Sequence, residues 1–167
     1  MMTVTAPGGV AIPVGLGEMQ VANSGEIVAY SLGSCVAIAL FDPLVKVAGM
    51  VHVVLPSAPQ TGSVGLLGKY ADTALPELLK QMLASGAMKH RLQCKLAGGA
   101  AVLSIGGSGS MPTIGQRNAT AVKAELERAR IRVQAESLGG TVGRTVRLHA
   151  ETGRLLVRKV SGPEEEL

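Results

Sequence analysis

Short apolar runs of strand length and two stripes of helical spacing divide this chain. Residues 1–16 hold Gly, Pro and small side chains without a sustained period, which predicts a flexible N-terminal arm. Gly17 to Val21 predicts a short strand, Asn23-Ser24-Gly25 a turn and Ile27 to Tyr30 a further strand. After the Gly33-Ser34 turn, Cys35 to Phe41 is a continuous apolar run that fits a buried strand or a short buried helix, stopped by Asp42-Pro43. Val45 to Leu55 predicts another strand, ended by Pro56, and Ser57 to Gly68 a loop beside it. Lys69 to Ala84 puts Ala71, Ala74, Leu75, Leu78, Leu79 and Met82 on one broad helical face. Pro76 would cost about 3 kcal/mol in a helix interior, so this helix is expected to start near Asp72-Thr73 or to kink. Gly86 ends it.

Leu92 to Ala97 predicts a short strand, and the glycines and Pro112 between Ser104 and Gly115 predict a loop. Asn118 reads as the cap of a second helix, Ala119 to Arg130, with Val122, Leu126 and Ala129 inward. Ile131, Val133 and Ala135 alternate with polar residues as in a half-buried strand. Val146/Leu148 and Leu155/Val157 do the same across Glu151-Thr152-Gly153, a hairpin turn. Residues 161–167, with Glu164-Glu165-Glu166, read as a solvated, disordered acidic tail. The strands do not alternate regularly with the helices. The expectation is therefore an α+β fold of packed, sandwich-like sheets flanked by two main helices, in one domain over residues 17–160.

Composition narrows the function classes. The aromatic fraction is 2%, so the core must be aliphatic, and the stacking that nucleic-acid binding needs is nearly absent. The net charge of +4 reads as a mildly basic solvated surface; no nucleic-acid partner is expected. No run of 18 apolar residues and no secretory signal are visible, so no membrane insertion is expected. Two cysteines make no disulfide framework. The expected setting is the reducing cytoplasm, where a thiolate survives.

The chemistry concentrates on two residues. Cys35 follows a glycine turn at the head of one apolar run, and His52 lies 17 residues on in the next. Two neighbouring strands can assemble a thiol–imidazole pair in this way, with His52 assisting thiolate formation and shuttling protons. Backbone N–H groups of Ser34 and Cys35 in the turn are candidate oxyanion donors. From spacing alone a buried structural Cys35 is the better reading, because free Cys is among the most buried residue types. Cys94 reads as a buried structural thiol, His90 as a solvated loop residue and His149 as a surface residue. These spacings hold no zinc template, and neither a metal nor a cofactor is expected. Gly68-Lys69-Tyr70 fails the phosphate-loop pattern, which would need Gly where Ser63 stands and Ser or Thr where Tyr70 stands. Asn118-Ala119-Thr120 is a glycosylation sequon without meaning in a chain that is not secreted.

The chain resembles the chemotaxis glutamine deamidases of the CheD family. The resemblance is carried by Leu32-Gly33-Ser34-Cys35-Val36-Ala37, Gly49-Met50-Val51-His52-Val53-Val54-Leu55-Pro56, and Gly68-Lys69-Tyr70-Ala71-Asp72-Thr73-Ala74. It continues in Lys95-Leu96-Ala97-Gly98-Gly99-Ala100, Ile114-Gly115-Gln116-Arg117-Asn118, Gly139-Gly140, Gly143-Arg144 and Glu151-Thr152-Gly153, in family order from about residue 17 to 160. It implies an α/β sandwich shared with a cysteine toxin deamidase. The implied activity is hydrolysis of selected glutamine side chains of methyl-accepting chemotaxis receptors to glutamate and ammonia. Carried over, Cys35 is the nucleophile and His52 the general base and acid. One position departs: the family's third catalytic residue is typically a threonine six residues before the cysteine, and here it is Ala29. Ser31, two residues on, is expected on the same strand face, so Ser31 or a backbone carbonyl is the expected orienter of His52. The resemblance also implies a CheC-type phosphatase partner in some members. Two other readings stay open: a docking protein that binds chemoreceptors or such a phosphatase without catalysis, favoured by Ala29, and a Cys35–Cys94 redox pair.

Overall fold

The computed structural model describes residues 9–102 and 111–167. In chain order the strands are β1 (Ala11–Pro13), β2 (Met19–Ala22), β3 (Glu26–Leu32), β4 (Val36–Asp42), β5 (Val47–Val53), β6 (Gln93–Gly98), β7 (Val133–Leu138), β8 (Arg144–His149), β9 (Leu155–Lys159) and β10 (Glu164–Glu166). The helices are α1 (Ala71–Ala84) and α2 (Ile114–Arg128). One five-stranded sheet has the order β1-β3-β8-β9-β10, the other β2-β5-β4-β6-β7. This is the expected α+β sandwich with two main helices.

The second sheet is covered on both faces, which is why β4 and β5 are buried along their whole length and read as continuous apolar runs. Val36, Ile38 and Leu40 face a layer formed with Leu75, Leu78 and Met82 of α1 and Val122 and Leu126 of α2. Ala37, Ala39 and Phe41 face the first sheet, against Ile27, Ala29, Val146, Leu148 and Val157. The alanines keep the two sheets close. Cys35, two residues before Ala37, belongs to this inter-sheet side, and Cys94 to the helix side. The two thiols therefore lie on opposite faces of one sheet, and both are free, so the Cys35–Cys94 redox pair has no geometric basis.

Several boundaries differ from the sequence reading. The arm expected over residues 1–16 is in part a strand: β1 pairs parallel with β3, and Val14 is 2% exposed. Residues 1–8 lie outside the described residues. The acidic tail is not disordered. β10 pairs antiparallel with β9, Arg154 bonds Glu166 at 2.8 Å, and the Leu167 N–H donates to the Leu155 carbonyl. Neighbouring cations give a Glu run a paired edge that its composition alone does not show.

The second helix begins at Ile114 rather than Ala119. Its cap is Thr113, whose hydroxyl accepts from the Gln116 N–H while the Gln116 side chain accepts from the Thr113 N–H. Asn118 is a fully buried helical residue, not the cap. α1 starts at Ala71 and carries Pro76 as its sixth residue, so the Asp72 carbonyl goes without the bond that a residue with an N–H would supply. Of the two loops expected from the sequence, Ser57–Gly68 runs mostly along the surface and ends on the buried Gly68; residues 103–110 of the other fall outside the described residues.

Candidate active site

Antiparallel pairing of β4 with β5 sets Ala37 opposite His52. Cys35 is two residues from Ala37, so its side chain and the imidazole leave the sheet on the same face as diagonal neighbours. Such diagonal pairs have Cα atoms about 7–8 Å apart, within reach of longer side chains. Both lie at the end of the inter-sheet layer, Cys35 8% exposed and His52 3%.

The imidazole is held firmly. The His52 N–H donates to the Glu18 carbonyl and the Gly17 N–H to the His52 carbonyl, fixing the backbone. Nδ1 lies 3.0 Å from the Val14 carbonyl oxygen. A carbonyl only accepts, so Nδ1 carries the proton, and Nε2 of the neutral ring presents a lone pair. Nε2 is buried and has no hydrogen-bond partner among the described residues. Burial lowers the His52 pKa, against the Val14 bond and the Glu18 charge, which pull it up. Burial pushes the Cys35 thiol up. Each shift favours the uncharged form of its group.

The turn before Cys35 is tied down through its acceptors. The Gly33 carbonyl accepts from the Ala100 N–H and the Cys35 carbonyl from the Gly99 N–H, both at 2.8 Å. The Ser34 carbonyl accepts from Asn118 Nδ2 at 2.9 Å. By contrast, the N–H groups of Ser34 and Cys35 donate to nothing among the described residues. Two glycines make this approach possible. A Cβ at Gly98 would stand 2.1 Å from the Cys35 carbonyl oxygen, and one at Gly115 2.5 Å from that of Gly99. The Gly98-Gly99 and Gly115 motifs of the sequence are thus the contact points that press β6 and α2 against the cysteine turn.

Ser31 is not brought to His52. The β3–β8 register shifts between Ala29 and Leu32, and Ser31 sits at φ 54° with its side chain exposed. The bulge breaks the two-residue period, so Leu32 turns inward and Ser31 outward. Ser31 instead lines an open cavity of about 540 Å³ on the outer side of the first sheet, with Tyr30, Gly33, Val102, Arg147 and Arg158; neither Cys35 nor His52 is in its wall. Ala29 is fully buried in the same inter-sheet cluster as Val14 and Cys35. The imidazole partner found here is a backbone carbonyl, which no side-chain pattern announces.

Two further residues escaped the sequence reading. Val14 lay in the supposed arm. Asn118 looked like a cap, yet it falls on the buried stripe of α2 with Gly115, Val122 and Leu126. A single polar residue on an apolar stripe was the available signal. Gly68-Lys69-Tyr70 also finds its use: the Lys69 carbonyl accepts from the Val54 and Leu55 N–H groups, fastening the chain just beyond His52.

Among the described residues no helix is long and apolar enough to cross a membrane. The profile of a family described as CheD chemotactic sensory transduction matches residues 54–159. A probable chemoreceptor glutamine deamidase CheD of Symbiobacterium thermophilum is 48% identical over 157 residues, covering 92% of this chain and 95% of its own. The chemoreceptor glutamine deamidase CheD of Thermotoga maritima is 44% identical over 153 residues, covering 91% and 94%. That of Halalkalibacterium halodurans is 41% identical over 158 residues, covering 93% and 98%. On the profile match and these relatives, the chain belongs to the CheD family.

Proposed function

We propose that the protein is a cysteine-dependent deamidase that converts glutamine side chains of chemoreceptors to glutamate. The observation that carries this reading is the His52 ring, anchored through Nδ1 on Val14 with Nε2 left without a partner on the face that bears Cys35. The relatives' names supply the substrate class. Nε2 takes the Cys35 proton as Sγ bonds to the carboxamide carbon, and the carbonyl electron pair moves to oxygen. The N–H groups of Ser34 and Cys35 receive that oxyanion, where one good donor contributes roughly 10²–10³ in rate. The intermediate collapses as the C–N bond breaks, and the imidazolium returns its proton to the leaving amine, releasing ammonia. A water then loses a proton to Nε2 and attacks the thioester; as the C–S bond breaks, the imidazolium gives that proton to Sγ, and glutamate, the free thiol and the neutral base result. A backbone carbonyl, that of Val14, takes the place of a hydroxyl as the orienter of the base.

These steps belong in the cytoplasm, with the receptor's cytoplasmic helices. A chemoreceptor cytoplasmic fragment incubated with the protein is expected to release ammonia and to gain glutamate at specific positions by mass spectrometry. Cys35→Ala is expected to abolish both. Ala29 favours a second reading, a docking protein for chemoreceptors or a CheC-type phosphatase. Receptor binding without conversion by the unaltered chain, equal in Cys35→Ala, would establish it instead.

A further inference from the structure

Asn118 is a buried amide whose two donors are both used and whose acceptor is not. Nδ2 bonds the Ser34 carbonyl at 2.9 Å and the Val54 carbonyl at 2.8 Å. Both partners only accept, so the orientation of the amide is unambiguous. Oδ1 is buried with no partner among the described residues. Buried polar atoms are normally satisfied, so an orphaned Oδ1 marks a residue kept for what its NH₂ group does.

What it does follows from the planar trans peptide. The Ser34 carbonyl and the Cys35 N–H belong to one rigid unit and point in opposite directions. Clamping that carbonyl onto α2 turns the Cys35 N–H away from α2. The helices pack on one face of the second sheet, and Cys35 and His52 are on the other. Away from α2 is therefore the side of the thiol. The second bond, to Val54, ties the same amide to the residue that follows β5, two beyond His52. One side chain thus holds the nucleophile's peptide plane and the base's strand in register.

We infer that Asn118 is a positioning residue that aims the Cys35 N–H at the developing oxyanion. This rests on the deamidase reading above. The test compares Asn118→Ala and Asn118→Ser, which retains one donor, in the full chain. Two readouts are needed: deamidation of a chemoreceptor cytoplasmic fragment, and alkylation of Cys35 by iodoacetamide, a displacement that develops no oxyanion. For Asn118→Ala, kcat is expected to fall about 10- to 100-fold, less than the roughly 10²–10³-fold of outright donor loss, with KM little changed. Alkylation should stay within about twofold, since thiolate formation does not use that N–H. Asn118→Ser should fall between the two and decides the matter if the alanine variant does not fold. Unchanged kcat in a folded variant, or alkylation that falls in parallel with kcat, overturns the inference and leaves Asn118 a packing residue. A wild-type chain without Cys35-dependent turnover removes the deamidase reading, and this inference with it. An active wild type with unaffected variants removes the inference alone.

Discussion

The two ends of the β4–β5 hairpin are built on opposite principles. At the turn end, the Asp42 carboxylate is out of contact with solvent just beneath the surface, and its oxygens are fully engaged. They take the Arg91 guanidinium at 2.8 Å and the N–H groups of Leu44 and Met88. Burial raises its pKa, but Arg91 and the backbone donors outweigh this and hold it at about 2. At the open end, hydrogen-bonding capacity is left unspent: His52 Nε2, Asn118 Oδ1 and the N–H groups of Ser34 and Cys35 have no partner among the described residues. The same two strands thus end once in a closed structural clasp and once in a cluster of unpartnered polar groups, the end where the proposed reaction would run. Unsatisfied buried groups cost stability, so each one calls for a reason to be kept.

The sharpest way to break this contrast is Cys35→Ala. It is expected to remove ammonia release entirely while changing the melting temperature little, because the thiol is a small buried group at the edge of its layer. His52→Ala should lower kcat by about 10²–10⁴, the usual contribution of a positioned base, as measured by single-turnover conversion. Asp42→Asn should do the reverse. About 2–4 kcal/mol of stability should be lost in urea unfolding, because Arg91 and the backbone donors lose their charge partner. The deamidation rate per folded molecule should remain.

Acid should act on the two ends in separate windows. The folded-state pKa of Asp42 lies below its unfolded value, so its contribution is present above about pH 4. It is lost as pH falls through about 2, roughly 1–2 kcal/mol in a thermal melt series. His52 is also depressed, so its neutral, base-competent form persists below the ordinary imidazole range; the acid limb of the rate profile should lie there. A limb above pH 7 would mean a resting ion pair. Cys35 alkylation should rise with pH toward a midpoint above that of an ordinary thiol, whereas Cys94, held at about 12 by burial, should react only on unfolding. The smallest effect is expected for Ser31→Ala, whose turnover should match wild type because Ser31 faces away from His52; a marked loss would restore it as the orienter.

Much of this molecule was legible before folding because packing writes itself into side-chain periodicity. The buried runs Cys35–Phe41 and Val45–Leu55 coincide with nearly all of β4 and the whole of β5, and the Leu75/Leu78/Met82 stripe is the face of α1 that covers them. The cysteine after a glycine turn and the histidine in the next run also belong to local sequence. The failures turned on backbone pairing and backbone geometry, which side-chain periodicity does not carry. β1 and β10 are strands only because β3 and β9 offer them an edge. Ser31 obeyed a period that a bulge cancels, and Asn118 looked like a cap until Thr113 took that position.

By itself, then, the sequence determined strands β2 to β9 and the two main helices, the aliphatic core and the chemical identity of the thiol and the imidazole. Those depend on side-chain type and near neighbours. The tertiary structure decided that Cys35 and Cys94 face opposite layers, that Val14 sets the His52 tautomer, and that Asn118 reaches 84 residues back to the cysteine turn. Backbone carbonyls and peptide planes carry these decisions, and they have no signature in side-chain order. Their directions exist only once the sheets and α2 have packed.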